Sequence, residues 1–137
     1  MSDELPDVEF AFPGPLRDRL VSAILTGEKC ATSSLVQFYE ADGSALPEIG
    51  QRGGVLDSDG KVVAVIETTG VEVVALRDVP LQHAIDEGEG FTSVDEWRAA
   101  HLRFWTSPEV LSELGQGVSI DDGTPVLLER FALIETR

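Results

Sequence analysis

The sequence predicts an α+β domain, a small mixed or antiparallel β-barrel with helices packed outside it. Three observations carry that prediction. Segments rich in β-branched residues cluster in the middle of the chain and at its end. Two amphipathic helical stretches lie before and between them. The order is not the regular strand-helix alternation of a doubly wound parallel sheet. With 137 residues, of which 42% are hydrophobic, the chain suits one domain with one core over residues 1–137. A mean hydropathy of +0.02 is globular rather than disordered.

Residues 1–12 form a polar, acidic lead-in, with Phe10 and Phe12 expected to tuck against the body. Leu16, Leu20, Val21, Ile24 and Leu25 then recur at three- and four-residue spacing, the apolar face of a helix that Pro13 and Pro15 open and Gly27 stops. Residues 29–34 are small and hydroxyl-rich, residues 35–40 (LVQFYE) are a strand or an irregular bridge, and ADGSALPEIG is a loop. GGVLD and KVVAVIE flank Ser58-Asp59-Gly60, a hairpin signal. VEVVAL after Thr69-Gly70 is expected as a third strand, followed by a short helix over 78–87.

Ser93 and Glu96 have capping-box spacing and start a second long helix, on which Trp97, Ala100, His101, Phe104 and Trp105 share a face. Ser107-Pro108 starts a short helix ending near Leu114-Gly115, and PVLLERFALI over 125–134 is a long strand.

Ten Lys and Arg against 25 Asp and Glu give a net charge of −15. Such a chain repels a long polyanion unless Arg98, Arg103, Lys29 and Arg52 converge, so small neutral substrates fit better than RNA or DNA. No apolar run reaches the ~20 residues of a membrane span. The acidic start lacks a signal peptide and the single cysteine, Cys30, excludes an intrachain disulfide, so a cytoplasmic location is expected. Nothing in the sequence specifies an oligomeric state.

Three constellations could carry chemistry. Lys29 and Thr32 are three residues apart beyond a helix end, where a fold-back would set a base beside a nucleophile; a solvated lysine at a polar turn has the same spacing. Glu67 ends an apolar strand and lies either at its wet end or in a pocket, and Glu129 in LLERF poses the same question. His101 lies on the aromatic face of its helix, as structural histidines commonly do. There is no Gly-rich phosphate loop and no Cys or His metal-ligand pair, so neither a metal nor a cofactor is expected.

Four pieces, in order, resemble the ASCH family, whose fold is a PUA-like β-barrel. They are the helix ending in TGEKCATSS, the strand AVIETTGVEVV, the acidic EGEG before a W-x-x-x-H helix, and VLLERFALIE. EGEG and W-x-x-x-H look like the longer bacterial branch. Family members include hydrolases that cleave the acyl amide of N4-acetylcytidine with a Lys-x-x-Thr pair and a glutamate on a later strand. The resemblance places those roles on Lys29, Thr32 and Glu67. It implies that Thr32 attacks, Lys29 acts as base and Glu67 orients Lys29 or protonates the leaving amine. Ser33 and Ser34 are rival nucleophiles, and Ser33, Ser34, Tyr39, Trp97, Arg98 and His101 are the candidates for contacting a nucleoside-like substrate. The alternatives are a non-catalytic module for RNA or modified nucleotides, or a ribonuclease.

Overall fold

The computed structural model describes residues 5–114 and 119–137. Helix α1 spans Pro15–Thr26 and buries Leu20, Val21 and Ile24, as its apolar spacing requires. It stops at Gly27, whose φ of 85° suits glycine alone and whose N–H donates to the Ile24 carbonyl. Arg17 is also buried. Its guanidinium donates to the carbonyls of Phe10 and Ala11 and pairs with Glu9, which ties the lead-in to α1. Within that polar, acidic lead-in Asp7–Val8 forms a two-residue strand, β1, which its composition does not signal. Phe10 is buried, while Phe12 stays exposed and tilts against Phe104.

The hydroxyl-rich segment is strand β2 (Ala31–Leu35), and LVQFYE is mostly helix α2 (Val36–Asp42), closed by Gly43 in the left-handed region. The hairpin is present as β3 (Arg52–Leu56) and β4 (Val62–Ala75). VEVVAL is no separate strand but the second half of β4. Thr69-Gly70 is a bulge in the pairing with β5 (Pro125–Thr136), with Gly70 close under the Arg130 side chain. The expected 78–87 helix divides into a 3₁₀ turn at Leu76–Asp78 and α3 (Leu81–Asp86), with Pro80 at the helix start.

Helix α4 (Val94–Trp105) is capped by Ser93 Oγ, which accepts from the Glu96 amide, while Glu96 reaches back to the Thr92 amide. Helix α5 covers Pro108–Leu114, and its predicted end at Gly115 lies outside the described residues. No helix of the described residues is long and apolar enough to cross a membrane.

The five strands form one mixed sheet in the order β1-β3-β4-β5-β2, with only β1–β3 parallel. Among the described residues this sheet is not closed into a barrel, which corrects that part of the expectation while leaving the α+β class intact. The edges lack the length for closure: β1 pairs through two residues, and β2 runs directly into α2. Two apolar clusters flank the sheet. One joins Leu35, Leu76, Val126 and Leu128 to Trp97 and Trp105; the other joins Val55, Ala64, Ile66 and Phe131 to Phe10 and α1.

Between α3 and α4 the chain makes a turn at Gly88 (φ +71°), where an added Cβ would lie 2.5 Å from the Glu28 carbonyl oxygen and 2.7 Å from Lys29 Cα. At Gly60, also left-handed, a Cβ would meet open space. Gly60→Ala is therefore expected to cost about 1–2 kcal/mol of backbone strain. Gly88→Ala is expected to cost at least about 3 kcal/mol, because backbone must also move. Urea unfolding of both variants measures the difference, and equal losses would contradict the close approach.

Candidate active site

The turn at Gly88 delivers two glutamates to the interior. Glu87 follows α3 and is 1% exposed. Its Oε2 accepts from Ser33 Oγ of β2 at 2.6 Å and from Trp97 Nε1 of α4 at 2.6 Å, with His83 Nε2 of α3 at 3.3 Å. Its Oε1 lies 3.0 Å from His101 Nε2 and 3.9 Å from Lys29 Nζ. Burial pushes this carboxyl up, but the hydrogen bonds from His101 and His83 and the charges of His101 and Lys29 outweigh it and hold it well below its ordinary range.

Proton positions follow from this acceptor. His101 Nδ1 faces the Trp97 carbonyl at 2.8 Å and Nε2 faces an ionised carboxylate, so both ring nitrogens donate and the ring is an imidazolium. Burial pulls His101 down, but the Glu87 contact overcomes it and the net shift is upward. The Ser33 hydroxyl spends its proton on Glu87 and accepts from His83 Nε2 at 2.9 Å. His101 also stacks on Trp97 with ring centroids 4.4 Å apart.

Lys29, directly after α1, is 2% exposed. Its Nζ donates to the carbonyls of Ala31 at 2.9 Å and Glu87 at 3.2 Å, and lies 3.9 Å from a carboxylate oxygen of Glu89. Desolvation lowers its pKa, and the opposing charges of Glu87, Glu89 and Cys30 do not restore it. Glu89 is half-buried. Burial raises its carboxyl, Lys29 opposes, and the neighbouring Glu87 charge raises it further.

These groups form the floor of a cavity of about 490 Å³, within the range of small-molecule sites. Thr32, Ser33 and Ser34 line it, Phe38, Phe104 and Trp105 form walls, and Arg19 and Arg103 reach it from two helices. Glu87, Glu89 and His101 stand close enough to share a cation. Glu87 and both ring nitrogens of His101 are already engaged, however, and the Lys29 amine stands 3.9 Å from both carboxylates where an ion would have to enter. The trio is poorly suited to a metal.

A second cavity, of about 550 Å³, opens beyond β2 and shares Thr32 and Ser34 with the first. Tyr39 of α2 lines it, as does Glu129 of β5, which accepts from Thr68 Oγ1 at 2.8 Å. Burial and then the Glu129 charge push the Tyr39 phenol up, against the Ser34 hydroxyl.

Of the residues singled out in the sequence, the structure brings Lys29, Thr32, Ser33, Ser34 and His101 to one cavity. Trp97 is wholly buried behind it as a donor to Glu87 rather than a wall. Tyr39 belongs to the second cavity. Arg98 pairs with Asp122, on an exposed face. Glu67 is not brought to Lys29 and Thr32. It faces away from Ile66 and Thr68, which line the second cavity, and pairs with Arg52 at 2.8 Å. The four cations considered as a basic groove do not converge, since Arg98 and Arg52 are each paired elsewhere. Sequence reasoning missed Glu87, Glu89 and His83 as site residues. The only available signal was the acidic EGEG before the capped helix, where Gly88 lets both carboxylates turn inward.

A family model described as the ASCH domain matches residues 9–135. Among curated proteins, none is similar enough to match. Among solved structures, the chain is similar to a protein from Enterococcus faecalis V583, with 28% identity and a TM-score of 0.84 over 98% of this chain and 80% of that one. It is also similar to an ASCH domain from Lactobacillus crispatus JV V101, with 29% identity and a TM-score of 0.78 over 93% and 79%. A mutant ASCH protein from Zymomonas mobilis shares the fold at 10% identity and a TM-score of 0.52, over 96% and 73%.

The buried Glu87–His101 pair sets a pH dependence. Glu87 is depressed below its ordinary 4.5, so its stabilisation is present above that pH and is lost as pH falls towards the folded value. His101 is raised above its ordinary 6.5, so its stabilisation is complete below that pH and is lost as pH rises through the folded value. Glu87→Gln is expected to cost about 3 kcal/mol or more near pH 5.5, because the protonated His101 loses its counter-charge. The cost should shrink as pH falls below the ordinary 4.5 of Glu87 towards its folded value, and as pH rises above the ordinary 6.5 of His101 through its folded value. Urea titrations across that range check this, and a pH-independent loss would count against the ion pair.

Proposed function

The chain belongs to the ASCH domain family, and from that premise we propose that its first cavity binds a small nucleoside-like molecule and hydrolyses an acyl amide on the base. The observation that carries this reading is the convergence of Lys29, Glu89 and Thr32 on one aromatic-walled cavity. In this assignment Glu89 takes the role the resemblance gave to Glu67.

The chemistry divides among three groups. Thr32 Oγ1 attacks the acyl carbonyl carbon, forming a C–O bond, while its proton passes to Lys29 Nζ. A neutral amine has two N–H groups and one lone pair. The carbonyls of Ala31 and Glu87 accept two hydrogen bonds from Nζ, which leaves the lone pair as the base. Desolvation favours that neutral form. Glu89, with its carboxyl raised, gives a proton to the amide nitrogen as the C–N bond breaks and is reprotonated from Lys29. Water then cleaves the Thr32 ester, releasing the free acid. Glu87, whose oxygens are fully engaged, holds Lys29 and does not enter the reaction.

One observation favours a second reading. Arg19 and Arg103 line the same cavity, and neither is ion-paired with a described residue. Two such guanidinium groups suit a phosphate, so the cavity would then hold a nucleotide or an RNA end without turning it over.

Hydrolysis of N4-acetylcytidine, followed by the spectral change as cytidine forms, separates the two. Wild type is expected to turn over, Glu89→Gln to lose about 100-fold or more in kcat, and Glu67→Gln to keep near-full activity. A folded wild type that binds a cytidine monophosphate but releases no acetate would move the assignment to the binding reading. Full activity in Glu89→Gln would remove Glu89 from the mechanism.

A further inference from the structure

The second cavity has no role in the reaction described above, although it meets the first at Thr32. The strand register makes that junction close. Thr32 of β2 stands directly opposite Glu129 of β5, so their Cβ atoms are about 5 Å apart on one face of the sheet. The same pairing sets Ser34 beside them on that face, and Tyr39 reaches in from α2.

Glu129 is an under-used group for its setting. It is half-buried, and Thr68 Oγ1 is its one side-chain hydrogen-bond donor among the described residues. An ionised carboxylate accepts about four hydrogen bonds. No Lys, Arg or His of the described residues forms an ion pair with it. Burial raises its carboxyl, and the single hydrogen bond from Thr68 does not restore it. Val8, Phe10, Ile66 and Phe131 line the same cavity, together with the carboxylates Asp7 and Glu9. The one arginine on this cavity, Arg52, is taken by Glu67. A chain of net charge −15 also draws cations rather than anions towards such a mouth.

We infer that the second cavity is a subsite for an ammonium group carried on a short aliphatic arm, with Glu129 as the counter-charge and the hydroxyls of Ser34 and Tyr39 as further acceptors. The inference rests on the hydrolase reading in one respect, the identity of the arm. If Thr32 is the nucleophile, the base occupies the first cavity and the acyl group points across Thr32 into the second. The preferred substrate is then an aminoacyl amide rather than an acetyl amide. An acetyl group fills only a small part of about 550 Å³ and leaves Glu129 without a partner. Placing an ammonium two methylenes beyond the carbonyl matches the short span between Thr32 and Glu129.

The test uses an isosteric pair, N4-(3-aminopropanoyl)cytidine and N4-butanoylcytidine, which differ by an ammonium in place of a methyl group. Calorimetric binding to Thr32→Val protein removes turnover from the comparison. The ammonium ligand is expected to bind at least tenfold more tightly. Adding Glu129→Gln, which retains an acceptor for Thr68, should erase the difference. Equal affinities, a difference that survives Glu129→Gln, or no binding of either ligand would overturn the subsite. Turnover of N4-acetylcytidine by wild type is measured in parallel. Ammonium selectivity without turnover would keep the subsite and sink the hydrolase reading; turnover without selectivity would do the reverse.

Discussion

A single buried carboxylate organises this molecule. The Glu87 carboxylate gathers donors from β2 (Ser33), α3 (His83) and α4 (Trp97 and His101), and Lys29 in the turn after α1 donates to its main-chain carbonyl, so four otherwise independent segments meet at one residue. A charge removed from water is tolerated only when its lone pairs are satisfied and a counter-charge is near. That requirement works in reverse here. Once Glu87 is inside, the positions of Lys29 and both histidines are constrained, and the floor of the first cavity follows from them. The apolar contacts among Trp97, Trp105, Leu35 and Val126 supply most of the cohesion on this side of the sheet. The carboxylate decides where each element docks.

The division of labour between Glu87 and Glu89 rests on one intervening glycine. Two consecutive non-glycine residues would send their side chains in different directions around the turn, and a Cβ at position 88 has no room against Glu28 and Lys29. With Gly88 in the left-handed region both carboxylates reach the first cavity, Glu87 in its floor against α4 and β2 and Glu89 beside Lys29. The first is saturated and silent. The second lies 3.9 Å from the Lys29 amine and is the more easily protonated of the two.

Much of the architecture was legible in advance. The apolar spacing of Leu20, Val21 and Ile24, the Asp59-Gly60 turn and the capping box at Ser93 each carry their own local signal, and each element stands where that signal put it. What was illegible depended on partners distant in sequence. Strand β1 is held by β3 and by the buried Arg17, neither of which leaves a mark in an acidic lead-in. Alternation along VVAVIET cannot say which face of the sheet is wet, so the strand pattern leaves Glu67 between a wet strand end and a pocket, and its position beside Arg52 depends on a partner on β3. Glu87 and Glu89 were hidden differently. In a chain with 25 acidic residues, an EGEG segment reads as solvated loop unless the glycine's conformation is known.

Strand β2 has another consequence, for the time course of folding. Among the described residues its only strand partner is β5, and pairs between them such as Ala31 with Arg130 join positions far apart in the chain. The β3–β4 hairpin and the individual helices close short loops and can form early, whereas docking β2 on β5 closes a loop that contains every element from α2 to α5. Thr32, Ser33 and Ser34 ride on that strand. The hydroxyl row therefore joins both cavities in the same step that brings Leu35 of β2 and Val126, Leu128 and Phe131 of β5 into the apolar clusters, so pocket and core are completed together.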